Sequence, residues 1–360
     1  MYFDVLNSMS ALTAPVMHYD SGVFPDDSEW YHLFERYVSS ADDHRCVAYA
    51  CSTDGKDEIL LPTLSTRRSR LSSQLESLDN YYSVDYRPIC STFAAQALIE
   101  PLLRQLLEYK NPDLFWLRAL DPVATEIGTI IHALKNLGWH PYISAQQINW
   151  IHDLKGDYED YIASRSGRLR NTLRRKTAKL MAVSGMRLTV HHGVKDLEEA
   201  VHAYNQIYAK SWKLPEPHPE FIPELIRAVA GRGQLRLGIL RLNDVPVAAH
   251  FWIVKRKTAF IYKLAHDRAF DGYSPGTVLM GQMIRYTMHN DNVSRLDFLS
   301  GDDRYKQDWM SERREKVQIH AYNPRRACAQ WDRYLNEHIK PFVKQFSIQR
   351  LLTGARLDNS

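Results

Sequence analysis

The pattern of hydrophobic and polar positions changes period many times along this chain, and each change marks an element. Met1–Ser28 is mixed and proline-containing and predicts irregular structure. In Glu29–Ser40 the residues Trp30, Leu33, Phe34 and Tyr37 recur at helical spacing. RCVAYAC and EILLPTL read as strands joined by the turn Ser52-Thr53-Asp54-Gly55-Lys56, a hairpin. Thr66–Pro88 is polar, with Arg67, Arg68 and Arg70 ahead of Tyr81, Tyr82 and Tyr86, and predicts a long surface excursion. Phe93–Tyr109 is periodic as a helix, DLFWLRAL reads as a buried strand, and Ala124–Leu137 is a helix stopped by Gly138. HPYISAQQINWIHDL then gives one long or two short strands.

The order repeats further on. Tyr158–Ser184 predicts a long helix closed by Gly185, followed by the strand MRLTVHH and helices over Asp196–Lys210 and Pro219–Ala230. LRLGILRL and VPVAAHFWIV form a hairpin about Asn243-Asp244. FIYKLAHD, the loop RAFDGYSPGT, a helix over Pro275–Asn290, the strand RLDFLS and the charged turn GDDRYKQDW come next. KVQIHAYN closes the sheet, and after Pro324 a helical tail runs through Trp331, Tyr334, Leu335 and Ile339 to a frayed end, TGARLDNS. Two such runs predict an α/β (α+β) fold of two lobes with mixed, mostly antiparallel sheets, each able to part at its centre. The expected domains are 1–152 and 153–325, with a tail at 326–360.

Composition narrows the class. With 360 residues, 44% hydrophobic and 11% aromatic, the chain can bury one large or two medium cores. A net charge of +4 argues neither for nor against an anionic partner. Cys46, Cys51, Cys90 and Cys328 form no CxxC pair, so a reducing cytoplasm and no zinc site are expected. The first residues lack a signal-peptide pattern, and no apolar run is long enough to span a membrane. His191-His192 and the scattered histidines make no HExxH, and there is no GxSxG elbow, so neither a metal site nor a serine hydrolase is expected.

Candidate chemistry gathers between Tyr262 and Trp309. Ser274 is placed to cap the following helix, Pro275 suits its first position, and Gly272 and Gly276 leave room for a ligand. The unpaired first N–H groups of that helix would suit a phosphate. Asp302, Asp303, Arg304, Lys306 and Asp308 crowd the far end of the RLDFLS strand, where ligands of α/β sheets collect. A basic face on the long helix (Arg165, Arg168, Arg170, Arg174, Arg175, Lys176, Lys179) lies beside an apolar stripe of Tyr158, Ile162, Leu169, Leu173, Leu180 and Val183. That face reads as solvated, or as contacting an anionic acceptor, an anionic lipid surface or tRNA. No aromatics interleave it, which counts against single-stranded nucleic acid.

The segments RSGRLRNTLRRKTAKLMAVSG, SWK (Ser211–Lys213), LGILRLNDVPVAAHFWI, IYKLAHDRAFDGYSPGTVL and LDFLSGDDRYKQDW, in this order, resemble GNAT-fold acetyltransferases of the cellulose-biosynthesis CelD or BioF-like type, relatives of the FemAB peptidyltransferases. The resemblance covers roughly 155–325. Two departures stand out: Leu299 where the family has glycine after an Asp-Phe pair, and SPG in place of a full Arg/Gln-x-x-Gly-x-Gly loop. The resemblance implies two GNAT-like lobes and transfer of an acyl group from acyl-CoA, a co-substrate and not a resident cofactor, to a small-molecule amine acceptor. It implies donor binding near Ser274, Gly276 and Thr277 and makes Tyr305 and Lys306 the strongest catalytic positions, while Asp267 at its strand end, Asp297, Asp302 and His266 are the catalytic candidates for the base, among which the sequence does not choose. Tyr305 would protonate the leaving thiolate and Lys306 would hold a charged group. DNA is not an expected partner. An aminoacyl-tRNA donor, as in FemAB proteins, and a non-catalytic scaffold in exopolysaccharide assembly are the other readings.

Overall fold

A computed structural model describes residues 1–11, 28–40, 44–69 and 72–335. In chain order the strands and helices are β1 (Tyr2–Leu6), α1 (Ser28–Tyr37), β2 (His44–Cys51), β3 (Glu58–Ser69), β4 (Ser72–Ser77), β5 (Ile89–Cys90), α2 (Ile99–Lys110), β6 (Leu114–Leu120), α3 (Thr125–Asn136) and β7 (His140–Asp153). Then come α4 (Tyr158–Ala163), α5 (Gly167–Met181), β8 (Met186–His191), α6 (Leu197–Ala209), α7 (Phe221–Gly231), β9 (Leu235–Leu242), β10 (Val245–Lys255) and β11 (Thr258–His266). The series closes with α8 (Pro275–Asn290), β12 (Arg295–Ser300), α9 (Arg304–Trp309), β13 (Glu312–Tyr322) and α10 (Ala327–Tyr334).

The chain forms two compact units. The described part of the first comprises 1–11, 44–146 and 317–335, and that of the second 28–40 and 147–316. These bounds differ from the expected 1–152, 153–325 and 326–360. Helix α1 belongs with the second unit because Trp30 packs edge-on against Phe221 of α7, and Arg232 pairs with Glu29. The end of β13 belongs with the first because Val317–Tyr322 pairs with β6.

Within the first unit the strand order is β1-β2-β3-β4-β6-β13, and within the second it is β7-β12-β11-β10-β9-β8. Each is an antiparallel meander with one parallel pair, β4 with β6 and β11 with β12. The crossover helix between the parallel strands is α2 in the first unit and α8 in the second. The strand after the crossover carries a left-handed residue in both: Ala119 and Leu299, each at φ 55°. Each kink is tied by an amide side chain of β7. Gln146 accepts from the Ala119 N–H at 2.5 Å, and Asn149 donates to the Leu299 carbonyl at 3.1 Å. Leu299 thus stands at a backbone position that favours glycine, the residue type the resemblance places there.

Several expectations are corrected. Tyr2–Leu6 is a strand, not irregular chain, because all five residues pair with β2. Thr66–Pro88 is not a surface excursion: β3 continues through it, β4 follows, and Leu75, Leu78, Tyr82 and Tyr86 are buried. The helix expected over 158–184 is two, α4 and α5, because the Ser166 side chain accepts from the Leu169 N–H and starts a new helix. The turn after β12 contains a short helix, α9. The expected irregular chain at 12–27, the side chains of Arg68 and Arg70, and the tail beyond 335 with its frayed end lie outside the described residues.

Candidate active site

In the second unit β11 and β12 pair only at Thr258–Phe260 with Arg295–Asp297. Both strands then continue, to His266 and Ser300, without further ladder pairs. Beyond the parting lies a cavity of about 530 Å³. Its walls are Arg168, Leu169 and Thr172 of α5, Trp212 and Lys213 after α6, His250 of β10 and Leu264–His266 of β11. Asp271 and Ser274 of the loop, Gly276, Thr277 and Met280 of α8, and Tyr305, Asp308 and Trp309 of α9 complete it.

The loop and first turn of α8 bring the polar groups together. His266 Nε2 lies 2.7 Å from Asp271 Oδ1. With Nε2–H donating to that carboxylate, Nδ1 keeps its lone pair. A Cβ at position 276 would lie 3.1 Å from His266 Nδ1 and 4.0 Å from His250 Nε2, so Gly276 keeps open a space that both imidazoles face. Trp212 packs on the His266 ring with centroids 4.6 Å apart. His250 is 2% exposed and its Nδ1 has no hydrogen-bond partner. Burial, aided by the neighbouring His266 and Lys213, pulls its pKa down to about 3, so it is a neutral imidazole.

Part of the basic face of α5 serves this loop. Lys176 and Lys179 both donate to the Gly272 carbonyl, at 2.7 and 3.2 Å, and the Lys179 ammonium lies over the Tyr273 ring. Arg168 grips both oxygens of Asp308 at the rim. Arg170, Arg174 and Arg175 remain on the outer side, with Arg174 bonded to Asn171.

The candidates from sequence fall into two groups. Ser274, Gly276, Thr277, Tyr305 and His266 line the cavity, while Asp267, Asp297, Asp302 and Lys306 do not. Asp267 is buried and accepts from the Ala269 N–H, fixing the start of the loop. Asp297 accepts from Asn149 Nδ2 and from the Leu299 N–H, which braces the kinked end of β12. Asp302 accepts from Trp150 Nε1 and pairs with Arg313. Lys306 is 4% exposed and donates to the Phe298 and Ser300 carbonyls at 3.1 and 2.6 Å, so its ammonium ties α9 to β12. Ser274 lies at the start of α8 without a side-chain cap: its φ is 52°, and its own N–H donates to the Asp271 carbonyl. Its hydroxyl makes no hydrogen bond to the first N–H groups of the helix. Tyr305 stands exposed at the rim, edge-on to Phe298.

Sequence reasoning did not single out His250, Asp271 or Lys213 as site residues. The signals were the shared parity of His250 and His266 on paired strands (Ala248 is opposite His266) and an acid five residues beyond His266. Among the described residues no three His, Cys, Asp or Glu side chains gather as a metal site.

Residues 167–307, which contain this cavity's walls except Asp308 and Trp309, match the family model of the acetyltransferase (GNAT) domain. A search of curated protein sequences finds no match. Among solved structures, FemX is similar at a TM-score of 0.56 and 10% identity, over 81% of this chain and 90% of that one. The C-terminal domain of a candidate lysylphosphatidylglycerol synthetase from Agrobacterium fabrum is similar at 0.52 and 11% identity, over 89% and 93%. A conserved protein of unknown function from Bacteroides thetaiotaomicron is similar at 0.50 and 11% identity, over 82% and 88%. At such identities the likeness is one of fold. The chain has a mixed α/β, mostly antiparallel GNAT-like fold, with the GNAT domain match confined to 167–307.

Proposed function

We propose that the second unit is an acyltransferase that moves an acyl group from acyl-CoA to a small-molecule amine. The observation that carries this reading is the parted β11/β12 pair opening on a cavity that holds both the first turn of α8 and a His–Asp pair. A scaffold without chemistry would have no use for that opening. The CelD-type relationship suggested by the sequence is part of the same reading.

In this reading the free N–H groups of Gly276 and Thr277 hold a donor phosphate. The amine attacks the thioester carbonyl, so a C–N bond forms while the C–S bond breaks. His266 Nδ1 takes the proton that the amine must lose, and Asp271 holds the ring in the tautomer that permits it. Backbone N–H groups of the parted strands steady the developing oxyanion. Tyr305 supplies a proton to the departing thiolate and regains one from solvent. Partial desolvation at the cavity rim and the Asp303 carboxylate raise the pKa of its phenol, which keeps it protonated at neutral pH.

The test is thermal stability of the whole chain against coenzyme A, acetyl-CoA and long-chain acyl-CoA. A donor at 100 times its dissociation constant should add about 2.7 kcal/mol, a readily seen melting shift. The shift should vanish in Thr277→Glu, whose carboxylate competes for the same N–H groups. A second reading, an aminoacyl-tRNA donor, draws on the fold likeness to FemX across both units and on the outward Arg170, Arg174 and Arg175. Silence with every coenzyme A species, together with tRNA binding that weakens in Arg170→Ala and Arg174→Ala, would replace the first reading by the second.

A further inference from the structure

The charges around the cavity are not all paired. Lys213 feels Lys263, Lys306, Glu216 and Asp303, and Lys306 feels Asp297 and Asp302 as well as Asp303. Glu216 is bonded to Lys263 at 2.8 Å, and Asp303 lies 3.8 Å from Lys306, which also donates to two backbone carbonyls. The remaining cation is Lys213, the one lysine of the three that lines the cavity. Its ammonium makes only long approaches to the Trp212 and Tyr208 rings, 5.9 Å from each centroid. The other acids in the cavity walls are engaged as well, Asp271 by His266 and Asp308 by Arg168. His250 is buried beside this group with an unpartnered Nδ1.

We propose that the cavity binds a ligand carrying an anionic group, a carboxylate or a phosphate, and that Lys213 holds that group. The inference deepens the transferase reading of the same site and names a property of what enters it. Charge supports it: an ammonium drawn from water and left without a carboxylate is unfavourable unless a ligand supplies the counter-charge. Burial and then the neighbouring Lys263 pull the Lys213 pKa down to about 8, with Glu216 and Asp303 opposing and Lys306 adding to the fall. An anion seated on the ammonium would raise it again, so binding near pH 8 should take up protons.

The group can come from either substrate, a donor phosphate or an acceptor carboxylate, and the experiment separates them. Coenzyme A, inorganic pyrophosphate and a set of free amino acids are titrated into the wild-type chain, Lys213→Arg and Lys213→Met by calorimetry. Two buffers of different ionisation heat are used at pH 8. The expected result is at least a tenfold loss of affinity in Lys213→Met for one class of anion, largely kept in Lys213→Arg. Proton uptake should be present in the wild type and absent in Lys213→Met. Loss for coenzyme A and pyrophosphate assigns the donor, and loss for amino acids the acceptor. Without ligand, Lys213→Met should melt at or above the wild-type temperature. A clearly lower melting temperature would mean that the ammonium is structural and would overturn the inference, as would unchanged affinities or no anion bound at all. Coenzyme A bound equally by wild type and Lys213→Met overturns this inference and leaves the transferase reading. Pyrophosphate or amino acids lost in Lys213→Met, with no coenzyme A species bound, does the reverse.

Discussion

The two units make the same topological step and finish it differently. In each, an antiparallel meander ends in a strand whose parallel partner is reached through a helix, and the partner strand is kinked by a left-handed residue. In the first unit the connection from β4 to α2 is long and folds inward. Leu78, Tyr82, Val84, Asp85, Tyr86, Arg87, Ile89 and Cys90 along it are all buried. Tyr86 donates from its N–H to the Ala119 carbonyl and from its hydroxyl to the Pro62 carbonyl. Arg87, 6% exposed, meets Asp85 at 2.7 Å and Glu126 at 3.7 Å, one cation against two acids. In the second unit the connection from β11 to α8 spans only 267–274 and none of its 3₁₀ residues is buried. The space is left open, and Lys213 in its wall has no ion pair. A filled crossover whose cation is met by acids is what stability alone favours; an open one with an unpaired cation and an unpartnered histidine is what a binding site costs.

The sharpest break of this comparison is His266→Ala. If the open crossover is the catalytic one, acyl transfer should fall by about 10²–10⁴-fold while the melting temperature barely moves. Equal turnover in the variant, measured as thiol release from acetyl-CoA with hydroxylamine as acceptor, would remove His266 as the base. Next in size is Glu126→Ala in the closed crossover. Removing one of the two acids from buried Arg87 should cost about 1–3 kcal/mol in denaturant unfolding, without selective loss of ligand binding by the protein that remains folded. A variant as stable as the wild type would mean that Asp85 alone neutralises the arginine.

Lys306→Met sharpens the division within the second unit. The ammonium holds two strand-end carbonyls, so the loss should appear as about 1–3 kcal/mol of stability. A normal melting curve with lost turnover would restore the lysine to the chemistry. At neutral pH the smallest effect concerns His250, whose contribution shows only in the pH dependence. The His250 pKa is about 3 when folded, below its ordinary value, so the unfolded chain binds the extra proton between roughly pH 6.5 and 3. Stability is therefore full above that window and falls by at most about 1.4 kcal/mol per unit as the pH drops through it. His250→Phe should flatten that part of the profile, and an unchanged slope would mean that another group titrates there.

How much of this was legible beforehand can be argued from single residues. Period and turn chemistry marked β9, β10, β11, α8 and β12, because an alternating or 3.6-residue pattern survives whatever packs on it. Gly276 and Thr277 could be placed at the start of α8 from the Ser-Pro-Gly step alone. Asp297, Asp302 and Lys306 misled because a charged residue at a strand end looks the same whether it meets a ligand or another group of the protein. Which one it meets depends on a partner such as Asn149 or Trp150, nearly 150 residues away along the chain. The polar look of Thr66–Pro88 misled for a related reason: Gln74, Glu76 and Arg87 are polar and yet buried, their groups met by one another and by distant acids.

The sequence by itself determined the elements, their order and the place where a helix start meets a strand end, since local backbone preference and hydrophobic period decide these. Only the tertiary structure decided that β11 and β12 part, that His266 turns to Asp271, that His250 lies buried beside them and that Lys213 is left without an ion pair. Those outcomes depend on distances between residues far apart in the chain, and on which charge each buried group finds within a few ångströms once the strands have paired.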